Sequence, residues 1–207
     1  MNTPSVLSIY DRSGNFVKPW LDAGFPCIIV DTQHEPGEHT DGLLTRVGAD
    51  VIGWMPPLRR YAFVASFSPC TDVAVSGARW FQGKGLARLA HAIRLFARGV
   101  EIAEWSGAPW LAEHPVSTIA THFRKPDFTF DPCDYGDPYT KKTCLWTGGG
   151  FIMPTKQRVE PALGSKMHLL PPSAERANLR SETPMGFARA VFAANAARCI
   201  AANGGAA

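Results

Sequence analysis

The sequence contains no C-x-x-C pair. Its five cysteines, Cys27, Cys70, Cys133, Cys144 and Cys199, are an odd set scattered along 207 residues. That argues against a disulfide framework and against zinc-finger spacing, and it suits a reducing cytoplasm. No apolar run approaches the roughly 18 residues a membrane-spanning helix needs, and no basic-then-apolar segment resembles a signal peptide. Charge is sparse: 19% of residues are Asp, Glu, Lys or Arg, and the net charge is +3. A dedicated electrostatic nucleic-acid binder usually carries a denser basic stripe, so charge alone assigns no partner. Internal repeats are missing, and low complexity is confined to "TGGG" at 147–150.

What is present suits one packed unit, with 45% apolar residues at roughly 100–200 residues per domain. A single domain over 1–207 is expected. "SVLSIYD" reads as a strand, "FVKPWLDAG" as a short helix closed by Gly24, and "PCIIVDTQ" as a second strand. "RYAFVASFS" is another apolar run. A longer helix follows, in which Leu86, Leu89, Ile93, Phe96, Val100 and Ala103 form a sheet-facing stripe. "APWLAEHPV" and "KTCLWTG" read as later strands. Thr183-Pro184 caps and opens a C-terminal helix. The alternation predicts an α/β fold, a mostly parallel sheet with helices on both faces. Residues 123–183 are loop-rich, with "KTCLW" the one regular segment expected there.

Ligands of open α/β sheets bind beyond the carboxyl ends of the strands. Four polar groups follow the apolar runs: Asp11 to Asn15, Asp31, Ser68-Pro69-Cys70, and Glu113-His114-Pro115. If the strands are parallel, all four share one edge. Gly14 allows a tight turn against a ligand, and Asp31 is placed to accept from ribose hydroxyls or to stand as a solvated strand end. Asp50 fits an adenine contact or a turn. Cys70 is either a nucleophile or a buried small thiol. Glu113 in a dry pocket would be a proton donor. "HEPGEH" has no usual metal spacing, so no metal is expected. Lys84, Arg88, Arg94 and Arg98 read as a solvated helix face.

In order, these segments resemble the DNA cytosine carbon-5 methyltransferases, in the compact form often found in phages. "SIYDRSGN" is similar to the S-adenosylmethionine loop, "VDTQH" to the acidic ribose motif and "GADV" to the adenine-contacting Asp motif. "FSPCT" resembles the Pro-Cys motif, and "AEHPV" the Glu-Asn-Pro/Val motif. "YGDPYTKKTCLW" looks like the basic strand beside the target base, and "TPMGFARAVFAAN" like the helix that closes the cofactor pocket. The resemblance covers roughly residues 5–195. It implies a Rossmann-like S-adenosylmethionine-dependent methyltransferase fold, with Cys70, Glu113 and Lys142 catalytic. Asp11, Ser13, Gly14, Asn15, Asp31, Asp50 and Pro69 would contact S-adenosylmethionine. The substrate implied is duplex DNA with a flipped cytosine, in the cytoplasm of a bacterial host, with protection of phage or mobile DNA from restriction as the purpose.

Three positions depart from the family. Ser68 replaces a proline, His114 an asparagine, and Cys144 a basic residue expected to contact the target base. Moreover, only residues 148–182 occupy the place of a target-recognition region, and they offer few base-reading side chains beyond Lys156, Arg158, Lys166 and His168. Relaxed sequence preference, or a partner chain supplying recognition, is expected. The alternatives are methylation of free dCMP and an inactive cofactor- or DNA-binding subunit.

Overall fold

The computed structural model describes residues 3–204, excepting the side chains of 167, 168 and 198–204. Five strands run parallel: β1 (Ser5–Ile9), β2 (Cys27–Val30), β4 (Leu44–Gly48), β5 (Tyr61–Ser66) and β6 (Trp110–Pro115). With β3 (Gly37–Asp41), β7 (Phe128–Phe130) and β8 (Thr143–Gly148), they form one sheet in the order β3-β4-β2-β1-β5-β6-β8-β7. β3 pairs antiparallel with β4, and β8 antiparallel with β6 and β7. The sheet is the mostly parallel α/β arrangement expected.

Strands β1, β2 and β5 are buried along their whole length, which explains why they read as continuous apolar runs rather than alternating ones. One face is covered by α2 (Phe81–Trp105), whose Phe96, Val100 and Ala103 join Ile9, Val64 and Trp110 in a core layer. The other face is covered by α1 (Lys18–Asp22) and α6 (Met185–Gly204). Trp20 and Phe187 there meet Val6, Phe63 and Leu111. Each such large apolar side chain contributes roughly 1.5–3 kcal/mol on burial.

Two expectations need correction here. The α2 stripe does not begin at Leu86, which is 82% exposed. Gly85 (φ 77°, ψ 167°) breaks the helix just before it, and close packing on the sheet starts further along. After the short α3 (Ile119–His122), the segment 123–183 also holds more regular structure than "KTCLW": β7, a capped 3-10 turn at Pro132–Tyr135, α4 (Lys166–Leu169) and α5 (Arg176–Ser181). The hairpin β3–β4 was not expected either. β3 is exposed at every position, so it lacks the apolar alternation by which strands are read.

β1 lies at the middle of the sheet. The chain leaves it toward β2 on one side and later returns to β5 on the other, so a crevice opens between the loops after β1 and β5.

Candidate functional site

The loop after β1 is built around Asp11. Its carboxylate, 4% exposed, accepts from Ser8 Oγ (2.7 Å), Ser13 Oγ (3.2 Å) and the Gly14 N–H (2.7 Å). The left-handed φ of 68° at Gly14 aims that N–H inward at little cost. Tyr10 also has positive φ, 60°, and its hydroxyl donates to the Leu95 carbonyl at 2.8 Å. Burial pushes the Asp11 carboxyl above its usual range, and the three donors only partly offset this. Asp11 thus shapes the loop. His34, set aside above as a metal ligand, supports the same loop with Nε2 3.0 Å from the Asp11 carbonyl.

A polar cleft opens on this loop, walled by Tyr10–Ser13, Asp31, Gln33 and Phe67 on one side. Asn178, Ser181, Glu182 and Thr183 wall it on the other. Asp31 Oδ1 accepts from the Gln33 N–H at 2.8 Å, and its second oxygen remains able to accept from a ligand. Of the residues expected to hold a cofactor, Asp11, Ser13 and Asp31 form its wall. Gly14 shapes the turn. Asn15 instead accepts from Lys18 Nζ at 2.6 Å. Asp50 sits at the carboxyl end of β4, where its carboxylate accepts from the Ile52 N–H at 3.0 Å as a turn residue. Pro69 is exposed and is not part of the wall.

A second, smaller and tightly closed cavity adjoins the first, sharing Phe67, Ser181 and Thr183 with it. Glu113 and Lys141 line it, with Phe130, Pro184 and Phe187 as apolar walls. Side chains alternate along β6, so Leu111 and Glu113 face this layer while Trp110, Ala112 and His114 face α2. Lys141 Nζ stands 4.0 Å from Glu113 Oε1, with side-chain exposures of 19% and 15%. Burial raises the Glu113 carboxyl above its usual range. The Lys141 ammonium and the Thr143 hydroxyl pull it down less strongly.

Cys70 is half-buried in the loop after β5, its carbonyl accepting from the Val73 and Ala74 N–H groups at 3.1 and 2.9 Å. Its thiol is pushed up first by burial and then by the Glu113 charge; Lys141 and Arg180 act in the opposite direction. The three groups therefore feel one another. An ionised Glu113 disfavours the Cys70 thiolate, and a proton on Glu113 removes part of that penalty.

Three sequence expectations change. Lys141, not Lys142, reaches Glu113; Lys142 is exposed. Cys144 is 6% exposed in the α2-side core, opposite His114 in register. It faces away from the Glu113 cavity, so the absence of a basic side chain there removes nothing from that pocket. Nor do the insert's cations project freely. Lys156 and Arg158 both bind the buried Asp134 carboxylate, at 2.8 and 2.5 Å. Lys166 lies over the Tyr139 ring at 4.4 Å. The His168 side chain lies outside the described residues.

Sequence reasoning missed the far wall of the cleft. Arg12 and Glu175 form an ion pair at 3.0 Å, tying the loop after β1 to the segment that carries Asn178, Arg180 and Ser181. The one available signal was the position of these polar residues, directly before the start of α6.

No family model matches the chain, and no curated protein matches it. Among solved structures it is similar to the glycopeptide N-methyltransferase MtfA. The identity is 16% and the TM-score 0.32, over 72% of this chain and 66% of that one. The functional reading therefore rests on the side chains at the site.

Proposed function

We propose that this protein is an S-adenosylmethionine-dependent DNA cytosine carbon-5 methyltransferase. The observation that carries the reading is the Glu113–Lys141 pair in the wall of a small cavity beside a polar cleft, with Cys70 close enough for its thiol to feel both charges. The cleft suits the cofactor: Asp31 can take a ribose hydroxyl, Tyr10 and Phe67 offer aromatic surface, and Ser13 and Glu182 offer polar contacts. When bound there, S-adenosylmethionine supplies the methyl group that carbon 5 receives.

The chain's own residues do the rest. Cys70 Sγ, as thiolate, forms a bond to carbon 6 of the ring, while the protonated Glu113 carboxyl gives its proton to ring nitrogen 3. The ring's electrons then move to carbon 5, which becomes nucleophilic. Once carbon 5 carries the methyl group, it loses its hydrogen as a proton to water, the electron pair left behind re-forms the double bond to carbon 6 as the bond to Sγ breaks and Cys70 departs as thiolate, and nitrogen 3 returns its proton to Glu113. Burial of Glu113 keeps it protonated at a pH where an exposed carboxyl would not be. Lys141 steadies the carboxylate left after the proton is given. A base stacked in a duplex hides the face that Sγ must attack, so the substrate cytosine is flipped or single-stranded.

Specificity is short or relaxed in this reading, because Lys156 and Arg158 are tied to Asp134 and the Gln157 and Val159 N–H groups donate to the carbonyls of Asp134 and Cys133. The same observation favours a second reading, a free cytosine nucleotide such as dCMP as substrate, since no groove readout is then needed. A partner chain that supplies recognition is the alternative within the DNA reading. Bisulfite sequencing of DNA from cells expressing this chain alone, with a parallel assay on dCMP, separates these readings. Protected cytosines that vanish in Cys70→Ala support the first. Labelled 5-methyl-dCMP with unmodified DNA supports the second, and no methyl on either substrate defeats both.

A further inference from the structure

The two walls of the cleft are joined at the surface by an ion pair. Arg12 Nη1, on the loop after β1, stands 3.0 Å from Glu175 Oε2, at the start of α5. The two side chains are 44% and 59% exposed, and an ion pair so open to water is weak and readily exchanged. Glu175 has another partner. The same oxygen accepts from Asn178 Nδ2 at 3.0 Å, and this bond, more than Arg12, holds the Glu175 carboxyl below its usual range. Glu175 is therefore not left bare when Arg12 leaves it.

Charge in the cleft wall is lopsided. Asp11, Asp31 and Glu182 bring carboxyl groups to it, and among the described residues that line it Arg12 is the one cation; Glu175 lies outside that lining. A ligand held at Asp31 by its ribose, with a carboxylate at its other end, has one cation to meet here. A guanidinium suits a carboxylate because it offers two parallel N–H donors. Nor does the far wall need the Glu175 contact in order to stay formed. It is anchored beyond that point at the buried Thr183 and Pro184, and by the Gly186 N–H, which donates to Asp137 at 2.8 Å.

We propose that Arg12 binds the amino-acid end of the cofactor: it exchanges Glu175 for the carboxylate of S-adenosylmethionine, and Glu175 is the ligand's competitor for it. The inference rests on the reading of the cleft as the S-adenosylmethionine site. It makes two opposite demands. Removing the cation weakens binding, whereas removing its competitor strengthens it, and both effects are confined to ligands that carry the carboxylate. A residue that merely tied the two walls together would behave differently, since loss of either partner would then weaken every ligand alike.

The measurement is the affinity of the full chain, by calorimetry, for S-adenosylhomocysteine and for its decarboxylated analogue, which keeps the adenosine, the sulfur and the amine. Arg12→Gln is expected to bind S-adenosylhomocysteine about tenfold more weakly, the size of one charge-assisted contact, and the analogue within about twofold of wild type. Glu175→Gln keeps an acceptor for Asn178 and should bind S-adenosylhomocysteine about two- to threefold more tightly, the scale of an exposed ion pair, with the analogue unchanged. Unaltered affinity in Arg12→Gln overturns the proposal, as does an equal loss for both ligands, or a loss in Glu175→Gln that matches the loss in Arg12→Gln. Wild-type protein that binds neither ligand defeats the assignment of the cleft to the cofactor, and this inference with it; wild-type protein that binds both, with Arg12→Gln unchanged, defeats this inference alone.

Discussion

The Lys141 ammonium stands 4.0 Å from Glu113 in the wall of a cavity that both residues share with Phe187 and Pro184. This pairing selects one of two adjacent lysines. Lys141→Met is expected to lower kcat for methyl transfer about 10- to 100-fold, toward the lower part of the range for loss of a proton-transfer group or its support. Lys142→Met, whose side chain faces solvent, should change kcat less than twofold. Steady-state assays of the two variants check the assignment, and a larger loss at Lys142 would reverse it.

Asp11 accepts from three donors at the heart of the loop after β1. Asparagine offers a single acceptor oxygen and turns an N–H₂ toward at least one donor. Asp11→Asn should therefore cost about 1–3 kcal/mol in urea unfolding. It should also weaken S-adenosylhomocysteine binding by calorimetry. Unchanged stability would mean that the loop does not depend on this carboxylate.

Burial lowers the His114 imidazole to about 4, against its usual 6.5. Its folded-state value lies below its unfolded one, so the unfolded chain binds the extra proton first as pH falls. The stability from keeping the ring neutral is fully present above about pH 6.5 and is lost as pH falls through about 4. The window corresponds to about 3 kcal/mol at most. Urea melts from pH 7 to pH 4 should show a shallower acid loss in His114→Phe than in wild type. Parallel curves would show that another group governs this range.

Gly186 opens α6 directly against the backbone carbonyl of Tyr135, where a Cβ would overlap that oxygen, and its N–H donates to Asp137 at 2.8 Å. Gly186→Ala must push α6 away from residues 135–137. It should lower stability by about 1–3 kcal/mol and loosen the Thr183–Phe187 wall of both cavities. A thermal melt unchanged from wild type would contradict the packing described.

The parallel strands and their shared carboxyl edge are legible in the sequence because β1, β2 and β5 are apolar throughout and end in polar residues. From that edge Cys70, Glu113, Asp11 and Asp31 could be named together. Pairwise choices were not legible. Lys141 and Lys142 differ only in which way each side chain points as the chain enters β8, a choice set by register with β6. That register also turns Cys144 into the core. The commitment of Lys156 and Arg158 to Asp134 is a contact more than twenty residues away in the chain, which no local pattern encodes. The far wall of the cleft depends on the Arg12–Glu175 pair, separated by 163 positions.

The central claim is that Cys70 forms a covalent bond to carbon 6 of a cytosine. A cytosine bearing fluorine at carbon 5 tests it directly, because that carbon then has no proton to lose and the bond to Sγ cannot be released. Incubation of the protein with S-adenosylmethionine and fluorocytosine-containing DNA, or the corresponding nucleotide, should give a denaturation-resistant adduct whose mass maps to the Cys70 peptide and is absent from Cys70→Ala. Methyl transfer to ordinary cytosine that persists in Cys70→Ala, or an adduct on another residue, would contradict the account.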